Sequence, residues 1–249
     1  MAQGIADGAV EMKSPVIFGV SEKAIEYAGI ENIVDIVKNL SEQNPKIPVV
    51  LHLDHGKTLE ICQRAIEAGF TSVMIDGSSR QFQDNIDLTK KVVGYARKYK
   101  VSVEGELGIV GKSKIKNQKS KIIIFPTGKQ AKEFVEKTGV DALAVGLGTA
   151  HGLPIKDERI HFDVLEEVAS VVKIPLVLHG GSNLPLDQVQ KAIKMGISKV
   201  NIDTEIRQVF TGAVRKDLKD KAVFDPREYL GDAREAVRKQ VIKKIGELR

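Results

Sequence analysis

The sequence predicts an α/β fold of the TIM (β/α)8-barrel type, with seven strands legible. Three observations predict it. Short β-branched apolar runs alternate with helix-patterned segments along the whole chain, as in a parallel sheet covered on both faces. Several helical segments close on glycine just before the next strand, at EAGF, KTGV and KMGI, which is the left-handed C-cap expected ahead of an αβ loop. The length of 249 residues suits one such barrel, for which roughly 250 is typical.

The chain opens on IADGAVEMK, which reads as the last turns of a helix. Strands follow at 15–20 (PVIFGV), 48–54 (PVVLHLD), 72–76 (SVMID), 102–108 (SVEGELG), 142–146 (ALAVG), 175–180 (PLVLHG) and 199–203 (KVNID). Between them apolar residues recur at helical spacing, such as Ile33, Ile36, Val37 and Leu40, or Ala192, Ile193 and Met195. No linker or change of composition divides the chain, so residues 1–249 are expected to form one barrel domain. A closed eight-stranded barrel would need a further strand ahead of the opening helix, because an open edge leaves backbone groups unpaired. The expectation is therefore a domain that is incomplete at its N-terminus.

Composition narrows the function classes. No apolar run approaches the ~20 residues that span a bilayer, and MAQGIADGAVEMK has no apolar signal-peptide core. The lone cysteine, Cys62, allows no internal disulfide and fits a reducing cytoplasm; its helical setting, TLEICQRAIEAG, predicts a packing role. The net charge of +5 would admit nucleic acid, but the lysines are spread over many helices and few aromatics are present to stack bases. Neither nucleic acid nor membrane is expected as a partner. The densest cluster, Lys112, Lys114, Lys116, Lys119 and Lys121, reads as a solvated loop or as a lure for a phosphorylated ligand.

The chemistry gathers where strands end. His55, His151 and His179 each follow an apolar run and each precede a glycine, and Asp54 stands beside the first. A barrel of parallel strands brings such positions to one face. Three imidazoles that leave one position open form the ligand set of a catalytic zinc site, and an adjacent carboxylate supplies an acid–base partner. Asp76 closes another strand, and Glu104 and Glu106 share a face by strand alternation. Glycines 180 and 181 with Ser182, and Asn201 to Thr204, follow the last two strands, where barrels often bind phosphate through backbone N–H groups. No strand end shows a lysine placed for a Schiff base, which favours metal over that covalent strategy. His52, inside a strand, reads as a satisfied core imidazole, and His161, opening a helix, as exposed.

VVLHLDHG, VEGELG, GTAHG, LHGGSN and VNIDT, in that order, with FDPREYLGDAREAV near the C-terminus, resemble the class II fructose- and tagatose-bisphosphate aldolases over nearly the whole chain. The resemblance implies a catalytic zinc on His55, His151 and His179, with Asp54 as proton donor to the sugar oxygen. It implies that Asp76 and Glu106 hold a second cation, divalent or monovalent; the residues themselves read equally as partners that order the histidines. Substrate binding is implied for Ser21, Gly152, Gly180, Gly181, Ser182, Asn201, Ile202, Asp203 and Thr204, and assembly for a homodimer or homotetramer through the C-terminal helices. One stretch departs from the family. After VEGELG the text runs GIVGKSKIKNQKSK, with Lys112 in place of the second glycine of a pair and Lys114 in the slot of a mobile glutamate that serves as base. Zinc-dependent cleavage of a ketose bisphosphate is thus the first expectation. A phosphosugar-binding barrel without catalysis is the second, and a metal-dependent phosphate-ester hydrolase the third.

Overall fold

The structure is a computed structural model and describes residues 1–112, 121–149, 159–182 and 184–249. Seven parallel strands form one curled sheet, a TIM-like half-barrel: β1 (Val16–Ser21), β2 (Val49–Gly56), β3 (Ser72–Ile75), β4 (Ser102–Leu107), β7 (Ala142–Val145), β8 (Leu176–Leu178) and β9 (Ile197–Val200), paired in that order. β5 (Ile109–Lys112) and β6 (Lys121–Ile124) make a separate antiparallel pair between β4 and β7. Helices α1 (Ala2–Glu11), α2 (Glu22–Ala28), α3 (Ile30–Gln43), α4 (Leu59–Ala68), α5 (Phe82–Ala96), α6 (Gly128–Thr138), α7 (Phe162–Val171), α8 (Leu186–Lys194), α9 (Thr204–Asp217) and α10 (Pro226–Glu247) complete the chain. The seven sheet strands are the seven expected from sequence. The β5–β6 pair is not: that stretch was expected to be a lysine loop, of which Lys114, Lys116 and Lys119 lie outside the described residues. Among the described residues β1 and β9 do not pair with each other, so the sheet keeps two edges.

The two faces of the sheet differ in chemistry. On the outer face Leu51, Leu53, Val73, Ile75, Val103, Leu107, Leu143, Val145, Leu176 and Leu178 are buried under the helices in one continuous core. The opposite face carries a small apolar patch of Met74, Ala144 and Val177, together with His52, Glu104 and Lys199. Strand alternation produces this division, because neighbouring residues of a strand point to opposite faces. The inner wall is therefore partly polar, and the charges it holds must be paired there.

Local signals set the helix ends. Gly69 and Gly139 cap α4 and α6 in the left-handed region, and Gly196 takes the same backbone sign one residue past the cap of α8. Thr127 opens α6 with a reciprocal capping box to Gln130. His161 is the N-cap of α7, but it is not an exposed residue as expected: its ring lies 4.4 Å from that of Phe125 and is half-buried.

Candidate active site

The ends of β2, β3, β4, β8 and β9 converge on one mouth. Between Leu53 and Gly56 the register of β2 against β3 shifts, and His55 takes φ +53. That left-handed backbone is uncommon for a non-glycine residue, and such conformations cluster at active sites. The bulge turns His55 so that its Nε2 lies 2.9 Å from Nδ1 of His179, with the two rings edge to face at 4.6 Å. Asp54 completes a group with these two histidines whose candidate ligand atoms all lie within 4.8 Å of one another. Its Oδ1 accepts a hydrogen bond of 3.2 Å from the Asn201 amide.

Behind each ring stands a carboxylate. Asp76 Oδ2 accepts from His55 Nδ1 at 2.9 Å, and Glu106 Oε2 follows at 3.4 Å from the same nitrogen. Burial alone would lower the His55 pKa, but these two acids outweigh it and raise it to about 10. Asp76 is crowded with donors. Despite its burial, bonds from His55, the Lys57 ammonium and the Ser78 hydroxyl (2.6 Å) hold its carboxyl far below the usual range. Glu106 moves the other way, because burial raises its pKa and the neighbouring Asp76 charge adds to that. On the far side, Glu104 Oε1 lies 2.8 Å from His179 Nε2 and its Oε2 accepts from Lys199 Nζ at 2.8 Å. The open pocket in front is lined by His55, Lys57, Asp76, Glu106, Thr149 and His179, among others.

This geometry fits a metal ion. A zinc ion takes imidazole nitrogens at ~2.0–2.1 Å, which puts two such ligands roughly 3.3 Å apart at a tetrahedral angle. The His55 and His179 nitrogens need to part by only a few tenths of an ångström. His55, Asp76 and Glu106 form a second group of the same kind. His151 and Gly152, expected as a third ligand and a substrate contact, lie outside the described residues.

The remaining sequence candidates within the described residues sit at the C-terminal ends of β1, β8 and β9. Ser21 ends β1 directly opposite Asp54 in register and accepts from Ala24 N as the N-cap of α2. Gly180 has φ +69, a backbone that disfavours side chains. A Cβ at Gly181 would stand 2.4 Å from Val200 Cγ1, and its own N–H bonds to Asn201 O at 3.0 Å. Backbone conformation therefore accounts for Gly180, and tight packing of the β8 and β9 ends for Gly181, whatever ligand they meet. Ser182 Oγ accepts from Asp203 N, and Asp203 and Thr204 open α9, as expected. The Ile202 side chain packs towards Val237 and Val241 in a cluster with α10, so what it can offer the mouth is backbone.

Three participants escaped the sequence reading of the site. Glu104 was not expected to partner His179, Lys57 was not singled out, and Lys199 was read only as the first residue of the last strand, not as a charge inside the barrel. Its ammonium is inside, but ion-paired to Glu104. A lysine within the apolar run ISKV was the available signal. His52 is buried as expected, with Nδ1 2.8 Å from Ser72 Oγ, yet it is not fully satisfied. Its Nε2 has no hydrogen-bond partner among the described residues and stands 3.7 Å from Glu104.

A curled parallel sheet whose strand ends gather acids and imidazoles at one mouth defines a barrel enzyme of the TIM type. The chain belongs to the class II fructose-bisphosphate aldolase family, whose model matches residues 1–249. It is 47% identical to the fructose-bisphosphate aldolase of Geobacillus stearothermophilus over 253 residues, covering 98% of this chain and 86% of that one. A fructose-bisphosphate aldolase of Staphylococcus aureus is 48% identical with the same coverage. Among solved structures, the YdjI aldolase from Escherichia coli K12 superposes with a TM-score of 0.86 at 32% identity, over 99% of this chain and 86% of that one. The chain is accordingly an aldolase, a carbon–carbon lyase.

Proposed function

We propose that this aldolase performs zinc-dependent, reversible cleavage of a ketose 1,6-bisphosphate to dihydroxyacetone phosphate and glyceraldehyde 3-phosphate. The names of the relatives favour fructose over tagatose bisphosphate as the sugar. The observation that carries the reading is the pair of inward nitrogens, His55 Nε2 and His179 Nδ1, 2.9 Å apart beside the Asp54 carboxylate.

His55 and His179, with His151, would hold the zinc ion. Bound there, zinc supplies positive charge that stabilises the negative charge left on the three-carbon fragment. Asp54 takes the proton from the oxygen of the departing aldehyde in cleavage and returns it in condensation. The Asn201 amide fixes that carboxylate through Oδ1. Asp76 accepts the Nδ1 proton of His55 and so presents Nε2 to the ion. Ser21, Gly152, Gly180, Gly181, Ser182 and Asn201 to Thr204 would bind the sugar phosphate, using backbone N–H groups at the β8 end and the N-terminus of α9. A second cation at Asp76 and Glu106 would have to compete with the Lys57 ammonium already on Asp76. We place the enzyme in the cytoplasm as a homodimer or homotetramer. The buried free thiol of Cys62 supports the compartment, and no helix among the described residues is long and apolar enough to cross a membrane.

Aldol cleavage should vanish when a strong chelator strips the enzyme and return when zinc is added. Cleavage indifferent to chelation would overturn the proposal. Lys114, in the slot of the family's mobile glutamate, favours a second reading: a phosphosugar-binding barrel without turnover. Binding of fructose 1,6-bisphosphate by the zinc-loaded chain with no detectable cleavage would select it.

A further inference from the structure

The family reading assigns ligands and a proton donor, but it leaves a buried carboxylate and a part-buried ammonium inside the barrel without a task. Glu104 is 3% exposed and Lys199, on its side chain, 15%. They sit on β4 and β9, with β7 and β8 between them in the sheet, so their contact crosses the curled inner face. Burying an ion pair costs desolvation that mutual attraction seldom exceeds by much. A pair retained at such a place needs a further reason.

The geometry points to Glu104, anchored by Lys199, as the positioning group that sets the tautomer and orientation of His179. Glu104 Oε1 lies 2.8 Å from His179 Nε2, while Oε2 takes the Lys199 ammonium, also at 2.8 Å. A carboxylate can only accept, so the Nε2 nitrogen carries the proton and Nδ1 is left with its lone pair. That Nδ1 is the atom aimed at His55 Nε2. The Asn201 amide also approaches Nε2, at 3.4 Å, but amide N–H and a protonated Nε2 are both donors. Its hydrogen goes instead to Asp54 Oδ1 at 3.2 Å. Lys199 does for Glu104 what Glu104 does for the ring: it fixes one oxygen so that the other faces His179. With both oxygens engaged and almost no exposure, Glu104 has no free edge to offer a substrate. It therefore does not stand in for the family's loop glutamate as a proton carrier, although it is the acid nearest to that loop in sequence.

The inference rests on the zinc reading of His179, and the test separates the two. Glu104→Gln keeps the shape but removes the charge. The double variant Glu104→Gln with Lys199→Met avoids leaving an unpaired buried ammonium, and circular dichroism of the metal-free proteins checks that each is folded. Zinc affinity is measured by competition with a chromogenic chelator, and the visible absorption of the cobalt-loaded forms reports the ligand field. Both variants should bind zinc about 10- to 100-fold more weakly than wild type, the usual cost of losing such an outer partner, with shifted cobalt bands. Variants that match the wild type in both affinity and spectrum would overturn the positioning role and leave the zinc reading intact. A wild-type chain that takes up no zinc, or a His179→Ala chain that binds it as well as wild type, would overturn both.

Discussion

Asp54 and His55 are neighbours on β2 with different tasks, and mutation can separate them. Asp54→Ala removes the proton carrier but leaves the two imidazole nitrogens and their carboxylate partners in place. It should retain zinc while turnover falls by a factor of about 100 to 10,000, the range for a general acid–base group. Metal content by atomic emission beside the cleavage rate decides this, and an Asp54→Ala protein without zinc would make Asp54 a ligand. Lys57 allows a second separation. Its ammonium sits on Asp76, beside the acid Glu106, and holds the place a cation would take. Lys57→Ala should therefore let the chain take up a second divalent ion more tightly than wild type, as read by titration calorimetry; an unchanged stoichiometry and affinity would show that the ammonium does not compete. His55 and His179, which the fold brings together, stood out in the sequence because each interrupts an apolar run just before glycine. Lys57 and Lys199 were not, since a lysine's side chain reaches far enough that its position in sequence does not say which charge it meets.

At the scale of elements, the outer face of the sheet explains why the strands could be read. Its side chains are almost all Leu, Val and Ile, packed under helices, and burial of that wall dominates the sequence pattern. The β5–β6 pair was missed because four-residue apolar runs cannot be told from loop or helix by periodicity alone. The opening helix was legible as a helix, but not the way it docks. α1 lies against α10 through Gly4 and Gly8, one turn apart, with Asp7 and Glu11 paired to Arg234 and Arg238. A Cβ at Gly4 would stand 2.6 Å from the Arg234 carbonyl oxygen, and one at Gly8 would stand 2.8 Å from Val241 Cβ. Alanine is the better helix former by ~1 kcal/mol, but overpacking against backbone costs ~1–3 kcal/mol. Gly4→Ala should therefore lower the melting temperature. Gly94, in α5, meets nothing within 4 Å, so Gly94→Ala should raise it by the propensity gain alone. A rise for both variants would mean that α1 moves away from α10 at no cost.

On the scale of the whole molecule, the inside of the curl buries a group of ionisable side chains, and that arrangement gives its stability a pH dependence. His52 is 1% exposed on β2, and burial, with Lys199 nearby, pushes its pKa down to about 4. In the unfolded chain the same ring titrates near 6.5. Between these values the unfolded state binds the proton and the folded state does not, so stability is fully present above pH ~6.5 and is lost as the pH falls towards 4. A depression of this size is worth roughly 3–4 kcal/mol at its full extent. The fold class was legible from strand order and spacing, but this inner network was not. His52 read as an ordinary core imidazole because its environment is supplied by Glu104 and Lys199, 52 and 147 residues further along. Carboxylates that are paired in the fold also lose stability in acid, so the wild-type curve alone does not isolate the histidine. The comparison is between wild type and His52→Asn, melted in chelator at pH 7 and pH 4.5 so that metal uptake does not contribute. The wild type should lose more stability across that interval than the variant. Equal losses would mean that His52 becomes protonated within the folded barrel without penalty, with Glu104 compensating for its charge.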